Sequence, residues 1–330
     1  MKKFFYAIRS NEWWDYKLPP LLAIGYATAT FSSTPIYKVA PHFIFLLASI
    51  FVGAVYVSII NDITDMDEDL ASGKKNRMAQ FSPKTRWIFS VVFVMLGIMF
   101  EYFFYGDKLS MLLYLLPWIS FSLYSFPPFR LKKRGWWGVA ADACGSHIFI
   151  SLLMVSSTSY FTSTKINWLW FTAVGIWSAA YGLRGILTHQ FDDRDNDIKA
   201  GIPTYASKIK PEDFQKKTYL ITIIELIAFS IMLWIVNIPL TLLFLLIYLL
   251  YAVGRRKIFN YPIATIIIPK NAPFQIWMAD YYQFFFPLAL LISAAFSQPM
   301  AWVVLVIHFL VFPRKVFIFF SEARLAIQRL

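Results

Sequence analysis

The chain has 330 residues, of which 58% are hydrophobic and only 15% charged. A water-soluble domain carries nearer a quarter of its residues as charges, so the composition excludes a soluble protein and predicts a polytopic membrane one. A single cysteine, Cys144, excludes an intrachain disulfide framework, and lying in an apolar run it reads as a packing residue.

In chain order, residues 1–17 (MKKFFYAIRSNEWWDYK) hold no continuous apolar run and no small-residue cleavage site. They are expected to lie on the membrane surface as an amphipathic segment, with Trp13 and Trp14 at headgroup level. Apolar runs long enough to cross about 30 Å of hydrocarbon come next, near 18–36, 42–62, 86–105, 109–126, 138–157, 166–188, 218–236, 238–253, 279–297 and 299–313. Pro299 separates the last two only weakly, so nine, possibly ten, transmembrane helices are predicted. Residues 314–330 read as an amphipathic cytoplasmic tail. No Gly- or Ser-rich linker divides the chain, and residues 1–330 are read as one domain.

Lys and Arg set the orientation. With the N-terminus cytoplasmic and the spans alternating, all of the 31 basic residues except Lys38, Lys108 and Lys165 fall at the cytoplasmic side. The net charge of +12 is thereby a topology determinant facing anionic lipid, and a nucleic-acid partner is not expected.

Three polar stretches then share the cytoplasmic face: 61–77, 124–135 and 189–204. In the first, Asn61, Asp62, Asp65 and Asp69 recur at helical spacing, which places Asp62, Asp65 and Asp69 in one stripe with Asn61 a turn from Asp65. Asp67 and Glu68 are expected to be solvated. In the third, Asp193 and Asp197 share a face, Asp192 and Asp195 point elsewhere, Gly201 lets the chain leave the helix and Thr204 can cap the next turn. Mg²⁺ takes hard oxygen ligands and is usually held by one or two carboxylates together with substrate phosphate. Arg77, Arg130, Lys132, Arg194 and Lys199 are candidates for charge-assisted bonds to that phosphate. One acidic stripe alone is as readily a solvated surface. Two on one membrane face, with cations beside them, point to divalent metal held against a phosphorylated substrate. An EF-hand is excluded, because its Gly and terminal Glu are missing from their offsets.

His189 is a candidate general base, with a structural hydrogen bond as the plainer reading. His42, His147 and His308 read as packing residues. Glu101 is expected to snorkel from the outer end of its span, and Glu225 to hydrogen-bond inside the bundle. Tyr124, beside the basic stretch, is the aromatic expected to line the pocket near a developing cation.

Asn61-Asp62-x-x-Asp65-x-x-x-Asp69 resembles the first signature of the UbiA-type intramembrane prenyltransferase superfamily. Asp193-x-x-x-Asp197-x-x-x-Gly201, with Thr204, resembles the second. Tyr124-Ser125-x-Pro127-Pro128-x-Arg130-x-Lys132 resembles an element of the branches that make lipids and chlorophyll. The resemblance implies an all-α bundle around a central cavity open near the cytoplasmic face, and two Mg²⁺ ions bridging the acidic motifs to a prenyl diphosphate. It also implies transfer of the prenyl group to an aromatic or lipid-like acceptor with loss of pyrophosphate. Asn61, Asp62, Asp65, Asp69, Asp193 and Asp197 would hold metal directly or through water. Arg77, Arg130 and Lys132 would clamp the diphosphate, and Tyr124 would face the reacting carbon. Met78-Ala79 stands where the family usually has Pro-Leu, and His189-Gln190 precedes the second motif, which leaves the acceptor open. A terpene cyclase using the same metal site is the rival within the superfamily. A transporter is disfavoured, because the charges sit at one face and not at the midplane.

Overall fold

The computed structural model describes residues 10–71, 73, 75–199, 201–270 and 272–329. Residues 1–9 of the expected surface segment lie outside the described residues. The helices are α1 (Ser10–Ala29), α2 (Ile36–Thr64), α3 (Met66–Ala71), α4 (Pro83–Phe103), α5 (Lys108–Ser125), α6 (Trp136–Phe161), α7 (Trp168–Asp192), α8 (Arg194–Lys199), α9 (Pro211–Val236), α10 (Pro239–Phe259), α11 (Tyr281–Ser297), α12 (Ala301–Val311) and α13 (Arg314–Arg329). A two-residue parallel pair, β1 (Ile263–Ala264) with β2 (Gln275–Ile276), closes the loop before α11.

Local chemistry sets the ends. Ser82, Asp107 and Asn167 accept from the backbone N–H three residues on and start α4, α5 and α7. Pro211 and Pro239 open α9 and α10. Asn237 and Asn260, both in the left-handed region, end them. Pro19 and Pro20 sit inside α1 without ending it, as a helix enclosed by others can tolerate.

Each predicted apolar run falls on one of these helices. By length and apolarity alone, α2, α4, α6 and α9 can cross a membrane, and α12 with α13, bent by 78°, makes a fifth if read as one span. Of the other helices, α11 and α12 are apolar but short, while α7 contains Arg184 and ends in His189 and Asp192, and α10 carries Arg255, Arg256 and Lys257 near its end. Large apolar side chains such as Val91, Met95 and Ile98 on α4 and Leu220, Ile223 and Ile227 on α9 are exposed, as lipid-facing surfaces are. The chain is an integral membrane protein.

The core lies where α1 packs on α6 and α11, and α7 on α9. Trp13 is nearly buried there, its ring 5.9 Å from that of Phe51, and Trp14 donates to the Val311 carbonyl at 3.0 Å. The structure thus packs this pair into the bundle. Arg184 and Glu225, both under 3% exposed, pair at 2.8 Å and join α7 to α9. Beside this pair, around one cavity, Arg255 bonds Asp280 at 2.8 Å and Glu322 at 2.9 Å, with Lys315 also on Asp280, so that α10, the start of α11 and α13 are tied together.

Candidate active site

Both acidic stretches fold as a long helix, a break and a short helix. Asp65 sits at the break between α2 and α3, where its N–H bonds Asn61 O at 2.9 Å and its carbonyl receives Asp69 N–H at 2.8 Å. Asp193 repeats the arrangement between α7 and α8, bonded to His189 O at 3.0 Å and receiving Asp197 N–H at 3.0 Å. The i, i+4 ladder therefore survives each break, and the spacing read from the sequence is kept in space. Asn61, Asp65 and Asp69 line one wall of a cavity of about 570 Å³, and Asp193 and Asp197 line the facing wall. Glu68, Lys75, Tyr124, Lys132, Lys133, His189, Gln190 and Thr204, with the apolar Ile186 and Ile202, complete the lining.

Asp62 is absent from this lining among the described residues and is 1% exposed. One residue along a helix is a rotation of about 100°, so the face shared by Asn61, Asp65 and Asp69 leaves Asp62 pointing inward. Arg77, Arg130, Arg194 and Lys199 are absent from the lining among the described residues. Arg194 is turned to the chain itself: its Nε donates to Ala206 O at 3.1 Å and Ile209 O at 3.0 Å, and Nη1 lies 3.6 Å from Asp195.

The basic loop reaches the acidic wall directly. Arg130 holds a left-handed backbone, φ +40°, costly for a side-chain-bearing residue, and the turn Leu131–Lys133 comes directly after it. Arg130 bonds Thr64 O at 2.7 Å, Asp65 at 3.3 Å and Glu68 at 2.9 Å. Lys132 bonds Asp65 and, at 3.0 Å, the Thr64 hydroxyl, while Lys133 bonds Glu68 at 2.5 Å. Glu68 is thus not the solvated residue expected from its position. Burial alone would raise its carboxyl, but Lys133 and Arg130 outweigh that and hold it below the usual range. Burial pulls the Lys132 ammonium below the ordinary lysine value, with Asp65 opposing the shift.

Asn76 is a residue the sequence reading did not single out as part of the site. Its carboxamide donates to Asp62 O at 2.7 Å and to Asp69 Oδ2 at 2.9 Å, and accepts from the Met78 and Ala79 N–H groups. It ties the loop after α3 back onto the acidic wall. Opposite, Gly201 takes φ +66°, which brings Thr204 round to donate to Asp197 Oδ2 at 3.0 Å and to cap the next turn through Ser207 N–H at 3.3 Å. Ser125 donates to Asn61 Oδ1.

The facing donors are carboxylate and carboxamide oxygens, the hard ligands Mg²⁺ prefers. Among the described residues no three acidic, histidine or cysteine side chains enclose an ion unaided. A cation here would need further oxygens from phosphate and water, and the donor set fits Mg²⁺ in that mode.

The profile of the UbiA prenyltransferase family matches residues 18–261. The chain belongs to that family. Among solved structures it is similar to a UbiA homolog from Archaeoglobus fulgidus bound to GPP and Mg²⁺, at 17% identity and a TM-score of 0.60 over 94% of this chain and 99% of that one. The same homolog bound to DMAPP and Mg²⁺ matches at 17% identity and a TM-score of 0.60, over 89% and 98%. A structure concerning digeranylgeranylglyceryl phosphate synthase in membranes matches at 16% identity and a TM-score of 0.56, over 89% and 98%. No curated protein sequence matches the chain.

Two more cavities adjoin the acidic one in this UbiA-family fold. The first, about 140 Å³, has mostly apolar walls, among them Leu18, Ile50, Val57, Trp118 and Phe121. Phe121 contacts the Tyr124 ring at 6.1 Å, so this space opens one helical turn from the acidic cavity. The second, about 410 Å³, sets Lys17, Arg184, Arg255 and Lys315 among apolar residues such as Phe274, Ile276 and Ile318, and shares His189 with the acidic cavity.

Proposed function

We propose that this chain transfers a prenyl group from a prenyl diphosphate to an aromatic or lipid-like acceptor, releasing pyrophosphate in a Mg²⁺-dependent reaction. The observation that carries the reading is that the two acidic motifs and Lys132 line one cavity beside an aromatic-walled apolar space. Asn61, Asp65, Asp69, Asp193 and Asp197 would hold two Mg²⁺ ions, with Asp62 supporting the wall from behind. Bound there, the metal supplies Lewis-acid neutralisation of the departing pyrophosphate.

Lys132, with Lys75 and Lys133, faces the diphosphate, and Arg130 holds the loop that carries Lys132 and Lys133. If Asp65 held metal it would release Lys132, whose ammonium would then bond phosphate oxygens, while Arg130 stays on the Thr64 carbonyl and Glu68. Arg194 fixes the loop behind Asp197. Tyr124 and Phe121 present π faces to the allylic carbon, where a desolvated cation gains about 2 kcal/mol. His189 stands on the wall between two cavities and takes the acceptor's proton. The loops that carry these groups face the cytoplasm.

The test is incubation of purified protein with GPP, farnesyl and geranylgeranyl diphosphate and Mg²⁺, without acceptor. Slow pyrophosphate release to open-chain alcohol, abolished by chelation and by Asp65→Asn or Asp193→Asn, supports the transferase. Cyclic products would assign the same site to a cyclase. No release with any donor would overturn the proposal.

A further inference from the structure

The apolar cavity of about 140 Å³ runs into the bundle from the acidic one along two neighbouring helices. On α2 its lining steps from Ser58, a turn before Asn61, back to Ser49. On α5 it steps from Phe121, a turn before Tyr124, back to Tyr114. At about 1.5 Å per residue these stretches give a depth of roughly 10–14 Å. The far end is closed. There the Tyr114 hydroxyl donates to the Ser49 carbonyl at 3.2 Å, tying α5 to α2, and Ser49, Tyr114 and Leu21 are all buried.

One wall is an aromatic stripe. Tyr114, Trp118, Phe121 and Tyr124 recur at helical spacing on one face of α5. Ring centroids lie 6.1 Å apart from Tyr114 to Trp118 and 6.1 Å apart from Phe121 to Tyr124. Trp118 is the member held most tightly. Its ring lies 4.7 Å from that of Tyr56 on α2, and two glycines let the flanking helices approach it. A Cβ at Gly53 on α2 would lie 3.8 Å from the indole, and one at Gly97 on α4 only 2.5 Å. An indole set between two backbones is a fixed wall, because a close-packed interior gives it nowhere to turn.

An apolar cavity of about 150 Å³ holds a molecule the size of benzene, so the 140 Å³ here takes a chain segment of about six carbons. We propose that Trp118, backed by Tyr114, sets the length of the donor chain, so that the site takes dimethylallyl and geranyl diphosphate and turns away farnesyl and longer donors. The proposal rests on the transferase reading and names its donor class. The first isoprene unit of a donor stays beside Tyr124 and Phe121, where the C–O bond breaks. A second unit fills the cavity. A third would have to displace the indole from Gly97 or part the Tyr114 hydroxyl from Ser49, leaving a buried hydroxyl without its acceptor. The limit is thus written in the two glycines that fix Trp118 and in the bond that closes the floor.

The test uses the purified full chain in detergent with Mg²⁺ and the unreactive thiolodiphosphate analogues of dimethylallyl, geranyl, farnesyl and geranylgeranyl diphosphate. Each analogue competes against pyrophosphate, which reads binding without turnover. Affinity should rise from dimethylallyl to geranyl, as more apolar chain is buried, and fall about tenfold at farnesyl. Trp118→Ala should raise farnesyl affinity about tenfold and leave dimethylallyl unchanged. Ala54→Phe, which fills the same cavity from α2, should weaken geranyl about tenfold and again spare dimethylallyl. The ratio of variant to unaltered protein at each chain length cancels partition into detergent, and pyrophosphate binding checks the fold of both variants. Affinity that keeps rising through farnesyl in the unaltered protein, a length profile that neither variant alters, or a loss shared equally by all four analogues would overturn the proposal. Failure of the unaltered protein to bind pyrophosphate or any analogue would instead overturn the transferase reading, and this inference with it.

Discussion

Arg184 and Glu225 show what a bundle interior asks of a charge. Each is almost completely buried, and each supplies the other's partner at 2.8 Å. Removing one member of a buried pair leaves the other charge uncompensated, at a cost of about 3–5 kcal/mol. Glu225→Leu should therefore lower the thermal unfolding temperature sharply in detergent, and the double replacement Arg184→Met/Glu225→Leu should recover most of the loss. The sequence marked Glu225 as unusual but gave it no partner, because α7 and α9 meet only through the fold. Glu68 makes a softer, pH-dependent contribution. Its folded carboxyl titrates below the ordinary glutamate value, so the unfolded chain binds the proton first as pH falls. The stabilisation is present above about pH 4.3 and is lost as pH drops through the lowered value. Unfolding monitored between pH 6 and 3 should show a component that Glu68→Gln removes.

At the scale of elements, the acidic motifs owe their geometry to breaks that keep the helical ladder. Asp65 and Asp193 end α2 and α7, yet each still bonds the residue four before it and is bonded by the residue four after it. That regularity is why their spacing was legible in the sequence as one face. The effect of the breaks on neighbouring residues was not legible: Asp62 is buried, and Glu68 is drawn to the basic loop by the left-handed turn at Arg130. Asn76 escaped notice because its bonds to Asp62 and Asp69 depend on a loop that folds back. Gly201 makes the matching turn on the other wall. Alanine there must adopt φ +66°, at about 1–2 kcal/mol. Gly201→Ala should lower stability by that amount and loosen Thr204 from Asp197, which would appear as weaker pyrophosphate affinity in the presence of Mg²⁺.

For the whole molecule, composition and three separated motifs were enough to read a helical membrane bundle and its family, since apolar runs and helical spacing are local properties. Span number was harder to read. Helices such as α7 carry the polar groups the site needs and so lose the uniform apolarity that marks α2 or α9. The cavity of about 410 Å³ was invisible, because Lys17, His147 and Gln283 come from three distant segments and two π turns. Orientation is the testable global property. With Cys144 replaced by serine, a cysteine at Lys84 or Lys208 should be shielded from a membrane-impermeant maleimide in intact cells, and one at Lys165 should be labelled. The account depends most on the two acidic walls acting together on one diphosphate. Calorimetric titration of pyrophosphate into the purified protein, with and without Mg²⁺, measures this directly. Binding should require Mg²⁺ and fall at least tenfold in Asp65→Asn and in Asp193→Asn separately. Binding that survives the loss of either wall, or that ignores Mg²⁺, would contradict it.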